Sequence, residues 1–160
     1  MKIKIYPRET QVKARGAATV EFALVLAFFY IPALLIIFDY GRVFFAAMSV
    51  TSAAHALALY GANGYWANNG TLPAITTTQA LAVEPNLGTT VGGLVVTPRL
   101  MYKCSTATTD YQTSIPTCTS PATRYDAVNV TVSGEFTTLI DYSFIPHIIP
   151  LSSDAWIRMQ

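Results

Sequence analysis

From Phe22 to Phe38 the chain reads FALVLAFFYIPALLIIF, seventeen residues without a charge. With Ala17–Val20 in front, the run approaches the ~20 residues that a membrane-spanning helix needs. Glu21 is the only charged residue between Arg15 and Asp39. Apolar side chains fall on every face of such a helix. A membrane span requires that pattern, whereas a soluble helix keeps one polar face. Pro32 lies inside the run. It removes one backbone hydrogen bond, so the sequence predicts a kink there, which membrane helices tolerate.

The flanks give the run a direction. Before Ala17 stand five basic residues (Lys2, Lys4, Arg8, Lys13, Arg15) against Glu9 alone; from Ala17 onward five basic residues face eight acidic ones. A +4 leader therefore precedes a −3 body. Basic flanks stay on the cytoplasmic side of membranes, which predicts a cytoplasmic N-terminus and an external C-terminal part. Net charge is only +1, with no basic footprint for nucleic acid. With 160 residues the chain has room for one head domain.

Asp39-Tyr40-Gly41-Arg42 closes the run. Tyr40 suits a membrane interface. Asp39 and Arg42, three apart, share a helix face and are expected to pair. Helical composition resumes from Val43 to Tyr60, so one helix is expected over 17–61, with 17–38 in the membrane and 39–61 as a stalk. Small residues at Ser49 and Ala53, and at Ala54 and Ala58, permit close approach of another helix. Gly61–Pro73 reads as loop. Thr76–Thr78 ahead of QALAVE is expected to cap a short helix that Pro85 and Gly88 end. Leu94–Tyr102 and Asp154–Met159 read as strands. Ala127–Phe136 is the clearest strand, with Val128, Val130 and Val132 on one face and Asn129, Thr131 and Ser133 on the other. The expected fold is α+β: a basic leader over 1–16, a long helix, and a head over 62–160 with a short helix and an antiparallel sheet.

The junction RGAATVEFALV at Arg15–Val25 places a small-residue cleavage candidate before the apolar run. A secretory signal peptide would place it after. The stretch resembles the class III signal of prepilin-like proteins, in which a membrane peptidase cuts after the glycine and a glutamate stands fifth in the mature chain. Counted from Ala17, Glu21 is fifth, and Phe22 follows it. A carboxylate at the head of a spanning helix is costly unless paired. The resemblance implies cleavage between Gly16 and Ala17 and pairing of Glu21 with a mature N-terminal amine, usually that of a neighbouring subunit. More widely, GAATVEFALVLAFFYIPALLIIFDYGRVFFAAMSVTSAAHALALYGA resembles the TadE-like family of tight-adherence (Flp) pilus proteins. The shared pattern is Glu21-Phe22, the apolar run, the acidic–aromatic–Gly–Arg exit and an Ala-rich helical stretch. His55 departs from it, since arginine is common there. The resemblance implies a minor pilin-like subunit of type IV pilus biogenesis. Its implied partners are a prepilin peptidase, other pilin or pseudopilin subunits, an inner-membrane assembly platform and the lipid bilayer. Its implied place is the bacterial inner membrane, single-pass, with entry into an extracellular pilus left open. The rival reading is an uncleaved, signal-anchored envelope protein with a periplasmic binding head.

Catalytic and cofactor patterns are thin. His55 and His147 stand alone, with no HExxH, G-x-S-x-G or P-loop pattern. Cys104 and Cys118 lack a second metal-ligand pair. No enzyme activity, metal or cofactor is expected. In an exported head the two cysteines favour a disulfide, with two buried thiols as the alternative. The loop it would close is about 15 residues, worth ~3 kcal/mol in the chain-entropy model.

Overall fold

The computed structural model describes residues 9–106, 110–119, 121–141 and 146–159. The leader charges Lys2, Lys4 and Arg8, and residues 142–145, lie outside the described residues. The chain divides into two compact units, Met1–Gly41 and Arg42–Gln160. Its elements are helix α1 (Glu9–Val25), a π-helical turn (Leu26–Tyr30), helices α2 (Ile31–Ala67), α3 (Thr77–Val83) and α4 (Leu87–Thr90), and strands β1 (Gly92–Cys104), β2 (Arg124–Thr137) and β3 (Ile148–Arg158). The expected α+β class is observed.

In the first unit, helix already covers the basic residues from Glu9, eight positions ahead of Ala17. No proline lies between Glu9 and Val25 to stop it. The π-turn sits directly before Pro32. A proline in a helix clashes with the carbonyl four residues earlier, here Phe28 at the centre of that turn. A π-turn widens the backbone at such a point, so the ladder resumes at Ile31. The large apolar side chains of this unit stand exposed, among them Phe22, Phe28, Phe29, Ile31 and Ile37. The most apolar stretch of the helical segment Gly16–Ala67 is long enough to cross a membrane, and none of it is buried within the chain.

In the second unit, β1, β2 and β3 form an antiparallel meander with β2 in the centre. The valine alternation identifies its inner face. Val128, Val130 and Val132 are fully buried. They share one core cluster with Ala46, Val50, Ala53, Ala54, Leu57, Ala58 and Ala62 of α2. These helix positions recur every three or four residues and form a single stripe. The stripe lies along β2 in the opposite chain direction. The Arg42 guanidinium sits over the Phe136 ring, Gly61 packs against Val128, and the Tyr65 hydroxyl reaches Asp126. Twenty-three helical residues at ~1.5 Å and ten strand residues at ~3.3 Å both span about 34 Å, so helix and strand match in length.

Two expectations change here. The small residues Ser49, Ala53, Ala54 and Ala58 are buried in the head core, so their close partner is the chain's own sheet rather than another helix. Nor does helix give way to loop at Gly61; α2 continues to Ala67. Gly61 and Gly64 are there for close approach. A Cβ on Gly61 would lie 2.8 Å from Ile75 Cδ1, and one on Gly64 would lie 2.6 Å from the Pro73 ring. The helix ends in a left-handed Asn69 (φ 52°), with the Gly70 N–H donating to the Tyr65 carbonyl at 2.9 Å. That six-to-one bond is a Schellman closure, with asparagine filling the usual glycine place.

Other boundaries follow local chemistry. Thr76 caps α3 with Gln79 in a reciprocal box. The helix stops at Val83, ahead of Pro85, and a further short turn, α4, runs through Gly88. The outer strands are longer than expected. Pro98 in β1 and Pro150 in β3 both sit on edge strands, where, among the described residues, no outer strand needs their missing N–H. Cys104 and Cys118 form a disulfide with Cα atoms 5.7 Å apart. The loop it closes reaches the outer face of the sheet, where Tyr111 packs on Trp156 with ring centroids 6.0 Å apart.

Candidate functional site

Two places in the molecule carry features that core packing does not explain. The first is the head of the apolar helix. Gly16, Ala17, Glu21 and Phe22 all lie in α1, and all four are exposed. Ala17 and Glu21 are one turn apart, with a rise of ~6 Å between them. A Cβ on Gly16 would meet nothing within 4 Å. Glycine costs a helix about 1 kcal/mol relative to alanine. Among the described residues, no neighbour calls for glycine at this position. The membrane-exit residues differ in setting. Asp39 is buried. Arg42 belongs to the head unit, its guanidinium 5.2 Å from the Phe136 centroid.

The second place is the far end of the sheet. β3 stops at Arg158, opposite Ala127, while β2 begins three residues further out at Arg124. The stagger leaves a notch. It is lined by Trp66 from the end of α2, by Arg124, Tyr125 and Asp126 of β2, and by Arg158 and Met159, around about 540 Å³. Arg124 grips Asp126 through Nε at 2.7 Å and Nη2 at 3.0 Å. The same guanidinium lies 5.4 Å from the Tyr102 ring. Asp126 holds the Arg124 charge, and its hydrogen bond pushes the Arg124 pKa up.

Tyr65 donates to Asp126 Oδ2 at 3.4 Å. Burial, then the Asp126 charge, push its pKa above the ordinary tyrosine value of 10.0. The neutral phenol is therefore the form that the fold favours. Its contribution is complete below about pH 10 and is lost as pH rises through the higher folded value. Unfolding by urea between pH 8 and 11 tests this. Stability should fall towards the alkaline end, and Tyr65→Phe should flatten that fall; equal slopes in the two proteins would remove Tyr65 from the account.

The outward side of α2 carries a shallow apolar groove of about 480 Å³ lined by Phe44, Ala47, Met48, Thr51, Ser52 and His55. Phe44 is 62% exposed and Met48 51%. Ser52 also donates to Glu84 Oε1 at 2.9 Å, tying α2 to the end of α3. His147 lies 3.1 Å from the Thr138 hydroxyl at the base of the β2–β3 connection. Among the described residues, no three His, Cys, Asp or Glu side chains gather as a metal set.

Sequence reasoning placed the residues at the helix head but not the notch. Trp66 and Arg158 are ninety-two positions apart, and no local pattern links them. A hint lay in Arg124 standing directly before Tyr125.

Fold and helix together define a class: a small α+β head following a helix apolar and long enough to cross a membrane. Within that class, residues 16–59 match the model of the TadE-like protein family. The match begins at Gly16, takes in Glu21, Asp39, Arg42 and His55, and ends before the sheet. No curated protein and no solved structure matches the chain.

Proposed function

We propose that this protein is a minor pilin-like (pseudopilin) subunit for assembly of a tight-adherence type IV pilus, cut after Gly16 by a prepilin peptidase. The observation that carries this reading is the TadE-like match beginning at Gly16. Gly16 supports it, since among the described residues nothing lies within 4 Å of a Cβ built there. In this reading Glu21 receives a mature N-terminal amine, and the apolar helix holds the subunit in the inner membrane. The basic leader faces the cytoplasm and the head faces the periplasm. The Cys104–Cys118 disulfide suits that oxidising side.

The small-residue stripe of α2 is occupied by the sheet, so lateral packing falls to the opposite face. Phe44, Met48 and His55 line that face. It is an apolar strip on which a neighbouring pilin helix fits. The folded head makes the subunit unlike a short pilin that is mostly helix, which suits an initiating or assembly role. The chemistry is done on this protein by the peptidase. Deleting its gene in the native bacterium should abolish surface pili seen by electron microscopy, with restoration by the wild-type copy. Normal pili in the deletion strain would contradict the proposal.

The rival reading, an uncleaved anchored protein whose head binds a ligand, draws on the notch beside Trp66. It predicts that the leader stays attached.

A further inference from the structure

The notch holds two arginines in different states. Arg124 is committed to Asp126 by two hydrogen bonds of 2.7 and 3.0 Å. Arg158 sits over Tyr125, its guanidinium carbon 3.7 Å from the ring centroid. Among the described residues, no carboxylate makes an ion pair with it. Stacking on an aromatic face fixes a guanidinium while leaving its edge N–H donors free in the plane. That is the geometry that grips a carboxylate through two parallel hydrogen bonds. Beside it, Trp66 is 60% exposed, although it is the larger of two adjacent aromatics on α2. Tyr65 meets it edge-on at 5.7 Å, which fixes the indole from one side. Lys103 stands directly across the strand pair from Tyr125 and adds positive charge to the same edge.

The cavity, about 540 Å³, is within the ~300–1,000 Å³ range of small-ligand sites. Its lining combines an exposed indole, a planar cation with no ion pair among the described residues, and the edge of the Asp126 carboxylate that Arg124 and Tyr65 orient. A lone phosphate would use the cation and leave Trp66 idle. A lipid chain would leave Arg158 idle and meet Asp126. A pyranose carrying a carboxylate uses all three, with its C–H face on the indole, its acid on Arg158 and its hydroxyls on Asp126. We infer that the notch formed by Trp66, Tyr125, Asp126 and Arg158 is a binding site for an acidic sugar residue, as found in uronic-acid polysaccharides. The site lies in the head and does not depend on leader cleavage or on pilus entry, so it stands or falls separately from the proposed assembly role.

The test is calorimetric titration of the full chain in detergent micelles with trigalacturonate. Saturable binding is expected, at least tenfold weaker for the neutral methyl ester of the same sugar. Arg158→Gln and Trp66→Ala should each weaken it at least tenfold. Both side chains are exposed, so circular dichroism should show an unchanged fold. Arg99→Gln, on the same sheet face but outside the notch, should leave binding within twofold. Absence of trigalacturonate binding overturns the inference. So does equal weakening by Arg99→Gln, which would mean diffuse charge attraction, or inorganic phosphate binding as tightly as the sugar.

Discussion

Replacing Gly134 by valine should destabilise the head more than any surface change in the molecule. Gly134 sits in β2 opposite Leu151, where the β1–β2 register slips between Gly92 and Val95. A Cβ there would lie 2.3 Å from Val91 Cγ1 and 3.0 Å from the Gly92 carbonyl oxygen. The first contact is with a stiff β-branched side chain that is itself buried. The second is with backbone, which cannot turn away. Valine adds two further methyl groups to this gap. Overpacking of that kind costs about 3 kcal/mol at the upper end of its usual range. In a head of this size that corresponds to a fall of roughly 15 °C in Tm. Thermal unfolding followed by near-ultraviolet circular dichroism reads it directly. Gly41→Ala is the control, since among the described residues nothing lies within 4 Å of a Cβ there. A fall in Tm of only a few degrees for Gly134→Val would mean that the β1 bulge is looser than the packing around Val91 implies.

The second large effect lies at the other end of the chain. Glu21→Ala should leave synthesis and membrane insertion intact and abolish pilus assembly. Glu21 is exposed at the head of an apolar helix, where an ionised carboxylate is expensive without a partner. Removing it eases insertion, so a purely structural account predicts a neutral or better-inserted protein. The assembly account predicts the opposite readout, because the acceptor for a mature N-terminal amine is gone. Glu21→Asp keeps the charge on a shorter arm and should assemble partially. Pili counted by electron microscopy, with membrane-fraction blots for insertion, separate the two. Full piliation with Glu21→Ala would remove the charge-pairing role.

Much of the fold was legible because the relevant signals are local. The apolar run announces itself by length, the Val128–Val132 alternation by its period of two, and the α3 start by the Thr76–Gln79 box. What failed was reading local composition where tertiary contact decides. Gly61 and Gly64 look like loop residues, yet Ile75, Val128 and Pro73 press so close that only glycine fits a continuing helix. The alanine stripe at Ala53, Ala54 and Ala58 announces close packing, but composition does not say against what; the sheet, at the far end of the chain, claims it. The notch depends on where β3 stops relative to β2, a property of register between segments thirty residues apart. No single-segment pattern carries that information. The proposed role of the helix-head residues rests on the opposite kind of signal. Their meaning lies in order along the chain, with Gly16 ahead of Glu21 and both ahead of the apolar run.

The central claim is that the chain is cut between Gly16 and Ala17 and that its assembly role begins with that cut. Intact-mass measurement of the protein purified from its native membrane tests it most directly. The account predicts a mature chain beginning at Ala17, and a Gly16→Trp variant that keeps its leader and forms no pili. A wild-type chain still carrying the residues before Ala17, in cells whose prepilin peptidase is active, would contradict it.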